Sequence, residues 1–169
     1  RMSDTLTWIV RIVHIFSAIM WLGAAMLFSM LIAPRVLRDG PPAIRRPFLE
    51  AVLGPLTRYF AIATVLTLLS GFILVGQIFG WANYNAAFKV PRYGTALSVG
   101  ILFGIIAATV GFGGVARTGK KLLATMQSVP ANAPPSAEKQ AEMMALGKRV
   151  GMLGMLVVLL GTVAIGAMT

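Results

Sequence analysis

The chain alternates between long apolar runs and short basic stretches. Four apolar runs lie at about 6–33, 56–79, 95–116 and 150–168. A helix needs about 20 apolar residues to cross a bilayer core about 30 Å thick. Because strands would leave unpaired backbone groups in lipid, the pattern predicts one all-α integral membrane domain, a bundle of four transmembrane helices.

The basic residues fall mostly in two of the connections. Of the 15 Lys and Arg, ten lie between the first and second runs or between the third and fourth, and Arg58 lies at the start of the second run and is counted with the first of these loops; Arg1, Arg11, Lys89 and Arg92 lie elsewhere. Loops rich in Lys and Arg stay in the cytoplasm. We therefore expect two cytoplasmic basic loops, with the N-terminus and the C-terminus outside.

Local sequence features of the connections between the runs predict further structural detail. Proline suits the first turn of a helix, so a short interfacial helix over 47–53 is expected before the second run. The stretch 130–135 is the only linker-like segment, and Ser136 can then cap a helix that continues into the fourth run. Three aromatic residues of the middle loop are spaced to share one face in the headgroup zone, namely Trp81, Tyr84 and Phe88.

Composition supports a membrane protein. The chain is 57% hydrophobic and 12% charged, whereas a soluble domain carries about 25% charged residues. A net charge of +10 then points to anionic lipid headgroups of the bilayer as partners, and no nucleic-acid-binding motif accompanies it. Without cysteine, there can be no disulfide, iron–sulfur cluster or thiolate metal site.

Small residues recur along faces of the last three runs. Helices associate closely in lipid through such residues, because lipid offers no hydrophobic drive for association. These stripes pack the four helices together, or one of them faces another membrane subunit or a second copy of the chain. They comprise Thr64, Thr67 and Gly71; Gly100, Gly104 and Ala108; and Gly147, Gly151, Gly154 and Gly161.

His14, the only histidine, is the main candidate for chemistry. No Asp, Glu or Lys lies inside the four runs, which argues against a carboxylate-based proton or ion pump. His14 lies about two turns into the first run, and an imidazole at that depth is usually functional. Arg11 and Trp21 lie on the same helical face.

Three roles for His14 remain open from the residues alone. It could be an axial ligand of a tetrapyrrole, with Arg11 binding a propionate and Lys89 and Arg92 adding to that site. It could bind copper together with methionine sulfurs, which fewer features favour. It could instead hydrogen-bond to a neighbouring helix, for instance to Thr95, Ser98 or Gln77.

The first run resembles the opening helix of a superfamily of small bacterial membrane proteins. The matching segment begins His14-Ile-Phe-Ser-Ala-Ile-Met-Trp21-Leu-Gly23 and continues to Ala33-Pro34-Arg35. The superfamily includes the copper-resistance protein D family and the haem-binding J-type protoporphyrinogen oxidases. The resemblance implies a four-helix protein of the bacterial cytoplasmic (inner) membrane in which His14 is the characteristic polar residue.

The J-type oxidases are thought to bind haem through this histidine and a lysine at the start of the third span. The corresponding stretch here, 92–97, contains no lysine, and Lys89 is the nearest one. The resemblance therefore supports the fold and the importance of His14, and only weakly an oxidase activity.

Three functions follow as hypotheses. The first is a protein that binds a haem b-like tetrapyrrole and serves a membrane redox system. The second is a non-catalytic accessory subunit of a larger respiratory or photosynthetic complex. The third is a transporter of copper or a small solute.

Overall fold

The computed structural model describes residues 3–130 and 135–168. Within them the regular structure is entirely helical and comprises α1 (Asp4–Met26), α2 (Pro42–Phe79), α3 (Tyr93–Thr109), α4 (Arg117–Gln127) and α5 (Ala137–Met168). Four stretches are long and apolar enough to cross a membrane, namely Asp4–Val36, Ala43–Phe79, Tyr93–Gln127 and Ala137–Ala167. The predicted all-α fold with four spans is confirmed, while the sidedness of the loops stays a prediction.

The first span continues beyond its predicted end at Pro34. Ser3 caps α1 by accepting a hydrogen bond from the backbone N–H of Leu6 at 3.3 Å. After α1 the helix widens into π-helical turns over Leu27–Ile32 and Pro34–Arg38. A proline removes one hydrogen bond from a regular helix, and the wider turns reroute the bonding here, because Asp39 N–H donates to the carbonyl of Pro34 at 3.1 Å.

The prediction of a separate interfacial helix over 47–53 is wrong, because this segment belongs to the continuous helix α2. Pro47 and Pro55 both lie inside that helix. Prolines are tolerated in membrane helices because neighbouring helices and side-chain hydroxyls satisfy the freed backbone groups.

A short helix that the hydropathy pattern did not predict extends the third span. The helix passes from α3 through the π-helical Val110–Ala116 into α4. Helix α4 packs its apolar face on α2 and α5, where Leu49, Leu122 and Leu146 form a buried cluster. The opposite face of α4 is exposed and basic. Because of these polar residues, the helix does not form part of a continuous apolar run in the sequence.

The predicted linker lies partly outside the described residues, since 131–134 are not among them. After the linker, the helix begins where it was predicted to begin. The backbone N–H of Lys139 donates to Ser136 Oγ at 3.3 Å, and α5 begins at Ala137. The predicted cap at Ser136 is therefore confirmed.

The four spans form two tight pairs. Helix α1 packs along α2, and α3 packs along α5. The pairs join where α1 meets α5, around buried Ala25, Val157 and Val158. Helices α2 and α3 have few close backbone contacts; the rings of Phe79 and Tyr93 lie 5.5 Å apart where the two helices are connected, and further along a gap lined by both helices separates them.

Two glycines of the α5 stripe contact the first span, one at α1 and one at the π-helical turn that follows it. A methyl group at Gly154 would lie 2.5 Å from Ser29 Oγ, and one at Gly161 would lie 2.8 Å from the Trp21 ring. By contrast, a methyl group at Gly147 or Gly151 would meet nothing within 4 Å. Gly154 and Gly161 therefore serve packing within the chain, which is the first of the two interpretations given for this stripe.

Gly161→Ala should destabilise the protein, because the added methyl group collides with Trp21. Overpacking of this kind costs about 1–3 kcal/mol. Gly151→Ala on the same helix gains the same helix propensity, about 1 kcal/mol, without a collision. In a thermal unfolding series in detergent, Gly161→Ala should melt below the parent and Gly151→Ala at or above it. Equal melting points would contradict this packing.

Candidate functional site

A cavity of about 660 Å³ lies inside the bundle between α1, α2, α3 and α5. This volume is within the range of small-molecule and cofactor sites, about 300–1,000 Å³. Most of its wall is apolar. The polar side chains on the wall are Arg11, His14, Trp21, Thr64, Thr67, Tyr84 and Tyr93.

Small residues make room for the cavity. The predicted α3 stripe, Gly100, Gly104 and Ala108, lies on the wall. A methyl group at Gly104 would meet nothing within 4 Å, so this glycine borders open space and not another helix. The α3 stripe therefore shapes the cavity, a role that its spacing alone did not distinguish from helix packing.

His14 is held on the cavity wall by α2. Its Nδ1 lies 2.9 Å from the carbonyl oxygen of Thr67 and 3.3 Å from Ser70 Oγ. A carbonyl oxygen can only accept a hydrogen bond, so the proton resides on Nδ1. In the neutral ring the lone pair is then on Nε2, which is the atom available to a ligand. The expected hydrogen bond from His14 to a neighbouring helix is therefore present, with partners on α2 that differ from Thr95, Ser98 and Gln77.

The imidazole fits against α2 because residue 71 is glycine. A methyl group at Gly71 would lie 2.8 Å from Cε1 of His14 and 3.2 Å from Nδ1. One turn along, Thr67 Oγ1 donates to Ser17 Oγ at 3.0 Å, and Ser17 donates to the carbonyl of Val13 at 2.6 Å. These bonds fix α1 against α2, and therefore fix the orientation of the ring.

The two ends of the cavity have different chemistry. At the end near the start of α1, the wall includes Arg11, whose guanidinium lies 5.2 Å from the centre of the Trp8 ring, together with Tyr84 and Tyr93. At the other end Trp21 packs edge-on against Phe60, with ring centres 6.4 Å apart. Trp21 also borders a smaller apolar cavity of about 80 Å³ on the side of α4. It therefore separates the two cavities.

Tyr84 presents a neutral phenol to the cavity. It lies in a 3₁₀-helical segment, Trp81–Lys89, that connects α2 to α3. Burial, and then the proximity of Tyr93, raises the pKa of Tyr84 above its usual value. At physiological pH this residue is therefore a hydrogen-bond donor and not a phenolate.

The predicted site residues are only partly brought together. Arg11, His14 and Trp21 share the cavity wall. Lys89 and Arg92 are exposed in the described structure and are not among the residues that line the cavity. Sequence reasoning missed the two tyrosines as wall residues, although the aromatic spacing of the middle loop had singled out Tyr84.

Thr64 has a buried hydroxyl oxygen without a hydrogen-bond partner in the part of the chain that the structure describes. An unpaired buried hydroxyl costs about 1–3 kcal/mol. We expect Thr64→Val, of nearly equal shape, to raise stability by about 1 kcal/mol. Thr67→Val, one turn further along, should lower stability because it breaks the bond to Ser17. Unfolding titrations in mixed detergent measure both, and a destabilised Thr64→Val would contradict this prediction.

No family model, curated protein or solved structure matches this chain. The resemblance of the first helix therefore stays a prediction. Across 3–130 and 135–168, no group of three or more acidic or histidine side chains is placed to hold a metal ion. The case for a function rests on His14 and the cavity beside it.

Proposed function

We propose that this protein binds a haem b-like tetrapyrrole through His14 and serves a membrane redox system. The observation that carries the proposal is the orientation of the ring. Nδ1 of His14 donates to the Thr67 carbonyl, which leaves the Nε2 lone pair for a metal on the wall of a cavity of about 660 Å³. A backbone carbonyl bonded to the other ring nitrogen is the usual support of a metal-binding histidine.

The other wall residues fit the same group. The guanidinium of Arg11 can bind a carboxylate of the ring system through charge-assisted hydrogen bonds. The neutral phenol of Tyr84 can donate another hydrogen bond at the same end. The apolar walls of α2 and α3 exclude water from the macrocycle. When bound, the metal of such a group supplies one-electron chemistry.

The charge distribution supports a location for the site. Eleven of the 15 basic residues lie at the end of the bundle that contains α4, either in the connections there or in the adjoining ends of the spans. By the positive-inside rule that end is cytoplasmic. His14 and Arg11 then lie in the outer half of a bacterial inner membrane, with both termini outside. The redox partner would be reached from that side or within the bilayer.

An absorption spectrum tests the proposal. The protein is extracted from native membranes in mild detergent with a tag free of histidine, and measured air-oxidised and then dithionite-reduced. We expect a Soret band that shifts on reduction. Protein without pigment is then titrated with haemin, and one equivalent should bind. A featureless native spectrum with no binding of haemin would overturn the proposal and leave an accessory subunit as the better account.

A further inference from the structure

The cavity is covered at both ends along the membrane normal. At the outer end the 3₁₀-helical segment packs over it, where Phe72 lies 5.0 Å from Tyr84 and 5.4 Å from Trp81 between ring centres. Trp81 sits against Gly76, where a methyl group would lie 2.6 Å from its ring. At the inner end Trp21 closes the cavity. An access route must therefore lead through a side of the bundle or past Arg11.

The sides of the bundle are not equally closed. His14 and Thr67 hold α1 against α2, and α3 packs closely along α5. Helices α2 and α3 meet through Phe79 and Tyr93 at the outer end and have few close backbone contacts elsewhere. Apolar side chains that line the cavity and are about half exposed lie mainly on α2, namely Leu68 at 45%, Phe72 at 53% and Ile78 at 48%, with Ile15 of α1 at 51%. Residues with both properties form the rim of an opening.

This rim faces the hydrocarbon core of the membrane. It is apolar along its length, and it lies in a stretch that is long and apolar enough to cross a bilayer. Water has little access at that depth, whereas a molecule dissolved among the acyl chains reaches it by lateral diffusion. An apolar opening at this level selects ligands that partition into lipid.

We propose that the cavity is loaded from the bilayer, through the gap between α2 and α3. The ligand class is a planar, largely apolar ring system with one anionic edge. Its ring enters between Leu68 and Phe72 on α2 and Ile101 on α3, and its anionic edge turns toward Arg11. The proposal rests on the proposed function for the identity of the ligand, but the opening itself can be tested without any ligand.

A removable cross-link across the gap tests the route. The chain contains no cysteine, so Leu68→Cys with Ile101→Cys introduces the only two thiols. A bifunctional thiol reagent whose linker is cleavable joins α2 to α3. The transfer of haemin from preloaded vesicles is followed by absorbance before linking, after linking and after cleavage. Single-cysteine variants treated with the same reagent are the controls.

We expect linking to slow transfer by at least about tenfold, because the linker obstructs the gap and entry by any other route requires a conformational change, and we expect cleavage to restore the rate. Linking after loading should trap haemin, which shows that the linker does not fill the site. An unchanged transfer rate in the linked protein would overturn the route and favour access past Arg11. If the unlinked protein binds no haemin, the proposed function has failed, and a second measurement decides the route.

That measurement uses Trp21 at the cavity floor. In Trp8→Phe/Trp81→Phe protein it is the only remaining tryptophan, since the chain has 3. Vesicles with brominated acyl chains quench tryptophans that the chains can approach. We expect quenching of Trp21, and a clear decrease once the same cysteine pair is linked. Quenching that is unaffected by the link would show that the gap is not open to lipid.

Discussion

His14→Ala is expected to abolish binding of the tetrapyrrole, with a loss of affinity of more than about 100-fold. Loss of a group that merely supports a metal ligand already costs about 10–100-fold in affinity, and His14 supplies the ligating nitrogen itself. The chain has no second histidine to substitute. Haemin titration of the purified variant, followed in the Soret region, measures the effect.

The cavity that His14→Ala leaves beside Gly71 provides a further check. Added imidazole can occupy that space and restore part of the absorbance, as expected if the lost function is ligation. Ser98→Ala is the control, since Ser98 donates only to the carbonyl of Gly94 on its own helix at 2.8 Å. Full-affinity binding by His14→Ala would refute ligation by this residue.

Gly71→Ala should have the second largest effect. The methyl group would lie 2.8 Å from Cε1 of His14 and would push the ring away from the Thr67 carbonyl. A displacement of about 1 Å in a site can cost about 100-fold in function. We therefore expect at least about a tenfold loss of haemin affinity, together with a shifted Soret maximum, because the ring is no longer oriented by its hydrogen bond.

The matched control is Gly54→Ala on the same helix. A methyl group at Gly54 would meet nothing within 4 Å, so it should leave both the spectrum and the affinity unchanged. Both variants gain the same helix propensity, and the comparison isolates the contact with His14. If Gly71→Ala binds haemin as tightly as Gly54→Ala does, the fixed orientation of the ring is not needed for binding.

The length of the apolar runs predicted the number of spans and their approximate positions. It failed where local bonding departed from a regular helix. Pro34 did not end the first helix, since the π-helical turns around it supply other hydrogen bonds. Helix α4 was missed because its outer face is polar, and its inner face, including Leu122, is buried against α2 and α5.

Of the residues on the cavity wall, the sequence singled out Arg11, His14 and Trp21 but did not predict the partners of His14 on α2. The depth of His14 in an apolar run singled it out, because few polar residues persist there without a role. Its partners depend on how α1 and α2 are rotated about their axes, which spacing within one helix does not determine. For the same reason, Thr67 and Gly71 were noted only as part of a small-residue stripe, and Lys89 and Arg92 were predicted beside His14 although neither lines the cavity.

Isotopic labelling of the single histidine tests the central claim most directly. Because His14 is the only histidine, growth on ¹⁵N-labelled histidine marks one residue, provided that the affinity tag contains none. Resonance Raman spectra of the reduced haem complex should then contain an iron–nitrogen stretching band that shifts to lower frequency in the labelled protein. An iron–ligand band that is insensitive to the label would show that the metal is held by some other group.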